Sequence, residues 1–354
     1  MNLQSLIKNT ERPFVIAGPC SAESEAQVLA ISESLSDFSA LKMTRAGVWK
    51  PRTRPGSFEG KGEEALPWLA KSRAQTQLPF CVEVANVEQV EIALKYQADA
   101  LWIGARTTVN PFLVQEIASS LEGVKIPILI KNPINPDLEL WIGAIERFQK
   151  IGLDDLTAIH RGFSVYKHPI YRNVPMWEIP LALRERMPEI PLICDPSHIT
   201  GKRDLVFDVA QTAMDLNFDG LMIETHNDPD NALSDAAQQI KPSDLKNLLS
   251  SLVMRTNTNL NAKEALNQIR VEINALDDLI FEHLKQRLLL SEKVGEIKKE
   301  HHITIFQQEH WTKLIAERLK MTSDYGLSQD FVRKVLDAIH QESIQHQLRI
   351  MNRK

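Results

Sequence analysis

The chain has 354 residues, of which 43% are hydrophobic and 25% are charged, a composition that excludes disordered and fibrous classes and allows two domains. Its formal net charge of −5 argues against a nucleic-acid partner, so local clusters of Lys and Arg are expected to bind small anions. Three scattered cysteines, Cys20, Cys81 and Cys194, are too few for a disulfide framework and predict a reducing compartment. The sequence has no run of about 18 apolar residues and no apolar leader, which predicts a cytoplasmic protein without a membrane partner.

The first two-thirds of the sequence repeats one pattern, in which a short apolar run is followed by a turn and an amphipathic stretch. Eight such runs within about 250 residues predict a (β/α)8 TIM barrel. A doubly wound open sheet is the alternative, but it usually opens with a Gly-rich phosphate loop, and none follows the first run. The predicted strands are residues 14–18, 40–46, 80–85, 100–105, 127–132, 156–162, 191–195 and 220–225.

Reactive side chains cluster at the carboxyl ends of these strands, the face that carries catalysis in barrels. One thiolate, one imidazole and two carboxylates form a mixed set of candidate metal ligands that suits Mn, Fe, Co or Zn better than Mg or Ca. These candidates are Cys20, His198, Glu224 and Asp235. The cations beside them, of the types that bind phosphate and carboxylate, are Arg45, Lys50, Arg52, Arg106, Lys131 and Arg161. A metal beside such a pocket predicts phosphorylated substrates with a carbonyl group.

The sequence changes character after residue 250. Residues 254–261 are polar and lack periodicity, and we interpret them as a linker between a barrel domain, 1–253, and a helical domain, 262–354. Apolar residues recur at helical spacing from residue 262 onward and predict a helix at 262–299, roughly 55 Å long.

Two further helices are predicted near residues 307–321 and 328–350, which gives an all-α three-helix domain. The long helix cannot bury its apolar stripe within a domain of about 90 residues. We therefore expect an intertwined dimer, as a homodimer or part of a higher homo-oligomer.

The spacing of cations along the long helix limits what they can bind together. Arg287 and Lys298 share a face and lie roughly 16 Å apart, whereas Arg270 precedes Arg287 by roughly 25 Å of rise. One straight helix cannot bring both arginines to one small ligand, so a common pocket would have to be shared between subunits. Ser343 and Gln347 lie on one face of the last helix. A solvated charged helix is the alternative that the spacing alone favours.

The barrel region contains motifs that resemble DAHP synthases of the type I superfamily. In chain order they are AGPCSAES (17–24), KPRT (50–53), GARTT (104–108), IKN (130–132), HRG (160–162), DPSH with GKR (195–203) and LMIETH with ALSD (221–235). KDO-8-phosphate synthase, which uses arabinose 5-phosphate, is similar in fold and motif, but the KPRT segment together with Cys20 favours the DAHP synthase family.

This resemblance implies condensation of phosphoenolpyruvate with erythrose 4-phosphate to DAHP and phosphate, with a divalent metal as cofactor. It implies that the metal ligands are Cys20, His198, Glu224 and Asp235. It assigns phosphoenolpyruvate to Arg45, Arg106, Lys131 and Arg161. It assigns erythrose 4-phosphate to Lys50, Arg52 and Thr53, with Lys50 reaching both substrates.

The helical region resembles the all-α, type II chorismate mutases, in residues 266–299 and in ESIQHQ (342–347). The resemblance implies a second activity, the rearrangement of chorismate to prephenate, and so a bifunctional enzyme of aromatic amino-acid biosynthesis. It implies that Arg287, with Arg270 of the partner subunit, binds the two carboxylates of chorismate. Lys298 and Gln347 would donate to the ether oxygen, and Ser343 would line the pocket.

The helical region also departs from that family. Where the family usually has an Asp, and then an Arg with a Glu directly after it, the chain has Gln307, His310 and Trp311. Gln307 is still able to hydrogen-bond a ligand, whereas an unperturbed His310 would be charged only below about pH 6.5. The alternative is therefore a helical domain that only dimerises and binds a feedback effector.

Overall fold

The structure is a computed structural model that describes residues 2–50, 56–255 and 260–353. It divides into two compact units, Met1–Asn257 and Thr258–Lys354. Residues 256–259 of the predicted linker lie outside the described residues, as do the candidate substrate-binding residues Arg52 and Thr53.

The first unit contains a closed barrel of eight parallel strands, each paired with the next and the last paired with the first. The predicted TIM barrel is confirmed, and each predicted run contains one strand. The strands are β1 (Phe14–Gly18), β2 (Leu41–Ala46), β3 (Phe80–Val84), β4 (Ala100–Ile103), β5 (Ile128–Lys131), β6 (Leu156–His160), β7 (Leu192–Cys194) and β8 (Gly220–Glu224).

Helices cover the outside of the barrel and close its amino-terminal end. They are α1 (Leu3–Asn9), α2 (Glu25–Ser36), α3 (Leu66–Thr76), α4 (Val87–Lys95), α5 (Ala105–Thr108), α6 (Pro111–Ser120), α7 (Leu138–Lys150), α8 (Glu178–Arg186), α9 (Pro196–Thr200), α10 (Val206–Asp215) and α11 (Pro242–Ser251). Short 3-10 turns lie at Gly62–Ala65, Arg203–Leu205, Pro229–Asn231 and Ala236–Gln238. Several helices begin where a side-chain oxygen accepts a backbone N–H of the first turn, as Ser24, Asn86 and Asp137 do.

The strands alternate their side chains between two apolar cores. Val15 and Ala17 of β1 pack outward against the helices, whereas Phe14 and Ile16 face the inside of the barrel. Other strands contribute to the inner core Met43, Cys81, Ala100, Trp102, Leu129, Ile159, Ile193 and Met222. Cys81 is therefore a core residue, as its position within an apolar run predicts.

Helix α1 completes the inner core from the amino-terminal end of the barrel. Its Leu3 and Ile7 pack into that core, and Asp155, directly before β6, accepts the backbone N–H groups of Leu3 and Gln4 at 2.6 and 2.8 Å. Because this end is filled by side chains, the opposite end is left to carry the site.

The second unit consists of the three predicted helices, α12 (Leu260–Glu300), α13 (Gln308–Lys320) and α14 (Gln329–Met351), so the all-α three-helix architecture is confirmed. Helix α14 packs along the carboxyl-terminal half of α12. In contrast, every residue of α12 from 263 to 283 is exposed. No helix in the described part of the chain is long and apolar enough to span a membrane.

Candidate active sites

A charged layer lies directly above the inner apolar core, at the carboxyl ends of the strands. Because side chains alternate along a strand, the residue two positions after an inward apolar residue also faces inward. Met43 is followed in this way by Arg45, and Leu129 by Lys131. The same step brings inward Glu83, Arg161, Asp195 and Glu224.

The most deeply buried charges of this layer are paired. Lys131 Nζ lies 2.8 Å from Asp195 Oδ2, and both side chains are at most 5% exposed. Burial by itself would raise the pKa of Asp195, but His198 and Lys131 hold this pKa well below its usual range. The carboxylate of Asp195 is therefore ionised in the folded protein and fixes the position of Lys131.

A second buried pair lies across the same layer. Arg45 Nη1 is 3.3 Å from Glu224 Oε1, and both side chains are at most 1% exposed. The guanidinium of Arg45 also lies over the ring of Trp102, 4.8 Å from its centroid. Removing either charge of this pair would leave the other buried and uncompensated. The two charges of the pair therefore depend on each other.

Cations outnumber carboxylates in the cavity at the barrel mouth, whose volume is about 320 Å³. Its charged lining consists of Lys50, Arg106, Lys131, Arg161, Arg172, Glu83 and Asp235. Burial, with the nearby charges of Arg172 and Arg106, lowers the pKa of Arg161 to about 10, despite Asp195. Arg161 is therefore still protonated at neutral pH, and the cavity suits a small, multiply charged anion.

The four candidate metal ligands form two close pairs. Cys20 Sγ is 3.4 Å from Asp235 Oδ2, and His198 Nε2 is 3.6 Å from Glu224 Oε1. Two atoms that bind one tetrahedral ion at about 2.0–2.3 Å lie about 3.5 Å from each other. Each pair therefore has the spacing expected of two ligands of the same ion.

The chemistry of this donor set fits a transition metal ion. Asp195 Oδ2 lies 2.8 Å from His198 Nδ1, which leaves Nε2 to face the metal-ligand candidates. Glu224 Oε1 is buried and has no hydrogen-bond partner among the described residues. In the described residues, 2–50, 56–255 and 260–353, however, no three or more side chains of His, Cys, Asp or Glu are arranged to hold a metal ion.

Two cations lie against the thiol and carboxylate of this set. Lys50 Nζ is 3.1 Å from Cys20 Sγ, and Arg172 Nη1 is 2.9 Å from Asp235 Oδ1. Burial and the charge of Glu224 raise the pKa of the Cys20 thiol to about 12, so a thiolate there requires a further positive charge. A bound divalent ion would supply that charge.

Sequence reasoning missed Arg172 and Gln238 at this site. Arg172 comes from the segment between β6 and α8 and also donates to Gln238 Oε1 at 2.8 Å, while Gln238 donates to Glu224 at 2.6 Å. Glu83 accepts a hydrogen bond from Trp102 Nε1 at 3.1 Å. Gly104 provides room for this contact, since a Cβ there would lie 2.0 Å from Glu83 Oε1.

The second unit has its own cavity, of about 430 Å³, between α12, α13 and α14. Its polar lining includes the sequence-predicted residues Arg287, Lys298, Gln307, Ser343 and Gln347, with His310, Trp311 and His340. Arg287 Nη1 donates to Ser343 Oγ at 2.7 Å, and Lys298 Nζ donates to Ile305 O at 2.6 Å. Burial lowers the pKa of both cations. Arg270 is exposed on α12 and does not line this cavity.

His160, at the end of β6, sits in an aromatic enclosure behind the barrel site. Its ring centroid lies 5.3–6.4 Å from those of Trp141, Phe163, Trp177 and Phe218. Burial, and then the charge of Arg161, lower the pKa of His160 to about 3. The imidazole is thus a neutral part of the core.

Comparison with known proteins places both units in known families. The model of the DAHP synthetase I family matches residues 3–260, and the model of chorismate mutase type II matches residues 269–348. These matches confirm the resemblance of each region and the fused architecture.

Relatives cover the barrel region. The phospho-2-dehydro-3-deoxyheptonate aldolase of Thermotoga maritima is 28% identical over 238 residues, 67% of this chain and 68% of that protein. The 2-dehydro-3-deoxyphosphooctonate aldolase of Geotalea daltonii is 29% identical over 261 residues, 68% of this chain and 92% of that protein. The crystal structure of the Thermotoga maritima DAHP synthase matches with a TM-score of 0.60, at 28% identity over 67% of each chain.

The low pKa of His160 predicts a loss of stability in acid. As the pH falls below 6.5, the unfolded chain binds a proton at this residue and the folded chain does not until about pH 3, so the folded state loses stability across that window. Between pH 7.5 and pH 5 this residue should lower the free energy of unfolding by about 2 kcal/mol.

Denaturant unfolding of the barrel unit at both pH values checks this prediction. His160→Phe should remove that part of the pH dependence, because phenylalanine keeps an aromatic ring in the enclosure and does not titrate. His168→Phe, at an exposed position in the same unit, should retain it. Equal pH dependence in wild type and His160→Phe would contradict the prediction.

Proposed function

The chain belongs to the DAHP synthetase I family, and we propose that its barrel condenses phosphoenolpyruvate with erythrose 4-phosphate to give DAHP and phosphate. The observation that carries this proposal is the cation-rich cavity beside a thiol, an imidazole and two carboxylates at the carboxyl ends of the strands. That combination suits a phosphorylated acid and an aldehyde.

Phosphoenolpyruvate carries a phosphate and a carboxylate, and the cavity offers separate cations to each. Arg106, Lys131 and Arg161 line one continuous surface, with Lys131 fixed by Asp195. Arg45, which does not line the cavity, is buried and forms an ion pair with Glu224. Cations placed in this way hold the substrate in one orientation and stabilise charge that moves toward the phosphate as it leaves.

We propose that Lys50 acts where the second substrate meets the first. Its ammonium group lines the same cavity and lies 3.1 Å from Cys20 Sγ. We assign it to both substrates, with Arg52 and Thr53 of the KPRT segment on the phosphate of erythrose 4-phosphate. The ammonium group would hold the aldehyde oxygen near the enol carbon and supply a proton to that oxygen as the carbon–carbon bond forms. Glu83, held by Trp102, is placed to orient the water that adds to the pyruvyl carbon.

Cys20, His198, Glu224 and Asp235 are the residues that we propose as ligands of a divalent metal, one of Mn, Fe, Co or Zn. When bound, such an ion acts as a Lewis acid toward the aldehyde oxygen. The chain's own contribution is to hold the ligands: Asp195 orients His198, Gln238 orients Glu224, and Arg172 contacts Asp235.

The second candidate function is that of a phosphooctonate aldolase, which would use arabinose 5-phosphate in place of erythrose 4-phosphate. The Geotalea relative of that kind covers as much of this barrel as the Thermotoga relative does.

Removal of metal should abolish phosphate release from phosphoenolpyruvate, and one of the four transition metals should restore it. Cys20→Ala should retain less than one metal per chain by elemental analysis and lose activity by about a hundredfold, as loss of one metal ligand removes both charge and geometry. Cys194→Ala, a buried thiol of the outer core, is the matched control and should keep both properties. Erythrose 4-phosphate should support faster phosphate release than arabinose 5-phosphate; the reverse preference would favour the second candidate. Full activity in metal-free protein would contradict the proposed metal site.

For the helical unit we propose the rearrangement of chorismate to prephenate. The reaction is unimolecular and needs no nucleophile, so a preorganised set of charges can supply the rate. Arg287, held by Ser343, would bind a carboxylate, while Lys298 and Gln347 would donate to the ether oxygen where negative charge develops. Gln307 lines the same cavity and is a further hydrogen-bonding group.

We propose that this unit works as an intertwined homodimer. The exposed half of α12 carries an apolar stripe of Leu266, Ile269, Ile273, Leu276 and Ile280, each 47–60% exposed. Single apolar residues are often exposed, but a continuous stripe marks an interface. A second copy of α12 would cover it and would bring Arg270 of the partner subunit to a cavity that its own Arg270 does not reach.

Subunit mixing tests the shared pocket. Arg270→Ala and Arg287→Ala should each turn over chorismate at least a hundredfold more slowly than wild type, since each loses a carboxylate contact. Co-refolded in equal amounts, the two variants should recover about a quarter of wild-type turnover, because half of the dimers are mixed and half of their pockets contain both arginines. Phosphate release by the barrel is the internal control and should stay unchanged. No recovery on mixing would contradict the shared pocket.

A further inference from the structure

An aromatic stack forms one wall of the helical-unit cavity. The rings of Trp311 on α13 and His340 on α14 lie 3.8 Å apart at an angle of 14°. Phe306 approaches the same imidazole with a centroid distance of 6.0 Å. Between these two rings the plane of His340 is fixed, although α13 and α14 are separate helices.

The polar end of His340 has no protein partner. Its Nε2 atom is buried and makes no hydrogen bond to any described residue, while the side chain lines the cavity. A buried polar atom without a partner costs free energy, so a ligand group that pairs with it binds more tightly. No described residue pairs with this atom, and the side chain to which it belongs lines the cavity.

Burial, more than the charges around the cavity, keeps this imidazole neutral. Burial, and then the charges of Arg287 and Lys298, lower the pKa of His340, against the opposing charge of Asp337. The described lining of the cavity contains no Asp or Glu. A neutral imidazole next to two cations can therefore pair with an uncharged group of a ligand whose carboxylates the cations hold.

This inference rests on the proposed mutase function. Chorismate has two carboxylates, an ether oxygen and one ring hydroxyl. Arg287 and Arg270 of the partner subunit account for the carboxylates, and Lys298 with Gln347 accounts for the ether oxygen. The hydroxyl is left as the polar group without an assigned partner.

We propose that His340 binds the ring hydroxyl of chorismate through Nε2, with Trp311 as the positioning residue that holds the imidazole plane. His340 precedes Ser343 and Gln347 by three and seven residues on α14, so the three side chains share one helix face toward the cavity. At position 311 the chain has Trp where the mutase family usually has an acidic residue. His340 on the neighbouring helix α14 then provides a different hydrogen-bonding group.

The test compares chorismate with an analogue that lacks the ring hydroxyl, in the full-length protein. KM for chorismate and the inhibition constant of the analogue against chorismate are measured for each variant. Wild type should bind the analogue about tenfold more weakly than chorismate, since one hydrogen bond to a buried group is lost. His340→Phe keeps the stack but removes the nitrogen, and it should raise KM for chorismate about tenfold while binding both ligands alike.

Further variants separate the roles of the two rings. Trp311→Leu should keep part of the discrimination with a higher KM, and His340→Gln should recover part of what His340→Phe loses. His301→Phe, an exposed histidine that does not line the cavity, should match wild type. Circular dichroism and barrel activity establish that each variant is folded.

The assignment of the hydroxyl to His340 would be overturned if His340→Phe still bound chorismate more tightly than the analogue. It would also be overturned if Gln307→Leu were the one variant that bound the two ligands alike. Equal binding of both ligands by wild type would overturn it without any variant. If wild type turns over no chorismate, the proposed mutase function fails and this inference with it; if turnover is normal and only discrimination by His340 is absent, the inference alone fails.

Discussion

The period of two along a β-strand is the constraint on which the barrel site depends. Inward residues of one layer are apolar and fill the barrel, and the next inward residues are charged. Met43 and Arg45, Leu129 and Lys131 are successive members of this alternation. Because the apolar layer and α1 close the barrel below, the charged side chains cannot reach solvent on that side and must pair with each other or bind a ligand.

Pairing inside that layer determines what the mouth presents. Asp195 holds both Lys131 and His198, and Glu224 faces both Arg45 and His198, so carboxylates sit deep and connect the cations to the metal-ligand candidates. Nearer the mouth, Arg106 and Arg161 give the cavity its excess of positive charge. A charged layer of this kind orients anionic substrates before reaction and needs little reorganisation during it.

Local patterns in the sequence were sufficient to predict the strands, the three carboxyl-terminal helices and the residues of the charged layer. Each of these depends on periodicity along a single element. Contacts between elements were beyond that reasoning. Arg172 is a single cation in a loop, and its contact with Asp235 depends on how two distant loops meet. The Trp311–His340 stack joins two helices, and the sequence showed only that Trp311 departs from the family pattern.

We propose that the cations of the barrel mouth form the binding site for phosphoenolpyruvate. Calorimetric titration of phosphoenolpyruvate into the full-length protein tests it most directly. We expect one molecule to bind per chain. Binding should be about tenfold weaker in Arg106→Gln, since a charge-assisted hydrogen bond is lost, and unchanged in Lys298→Gln of the helical unit. Undiminished binding in Arg106→Gln, or equal weakening by Lys298→Gln, would contradict it.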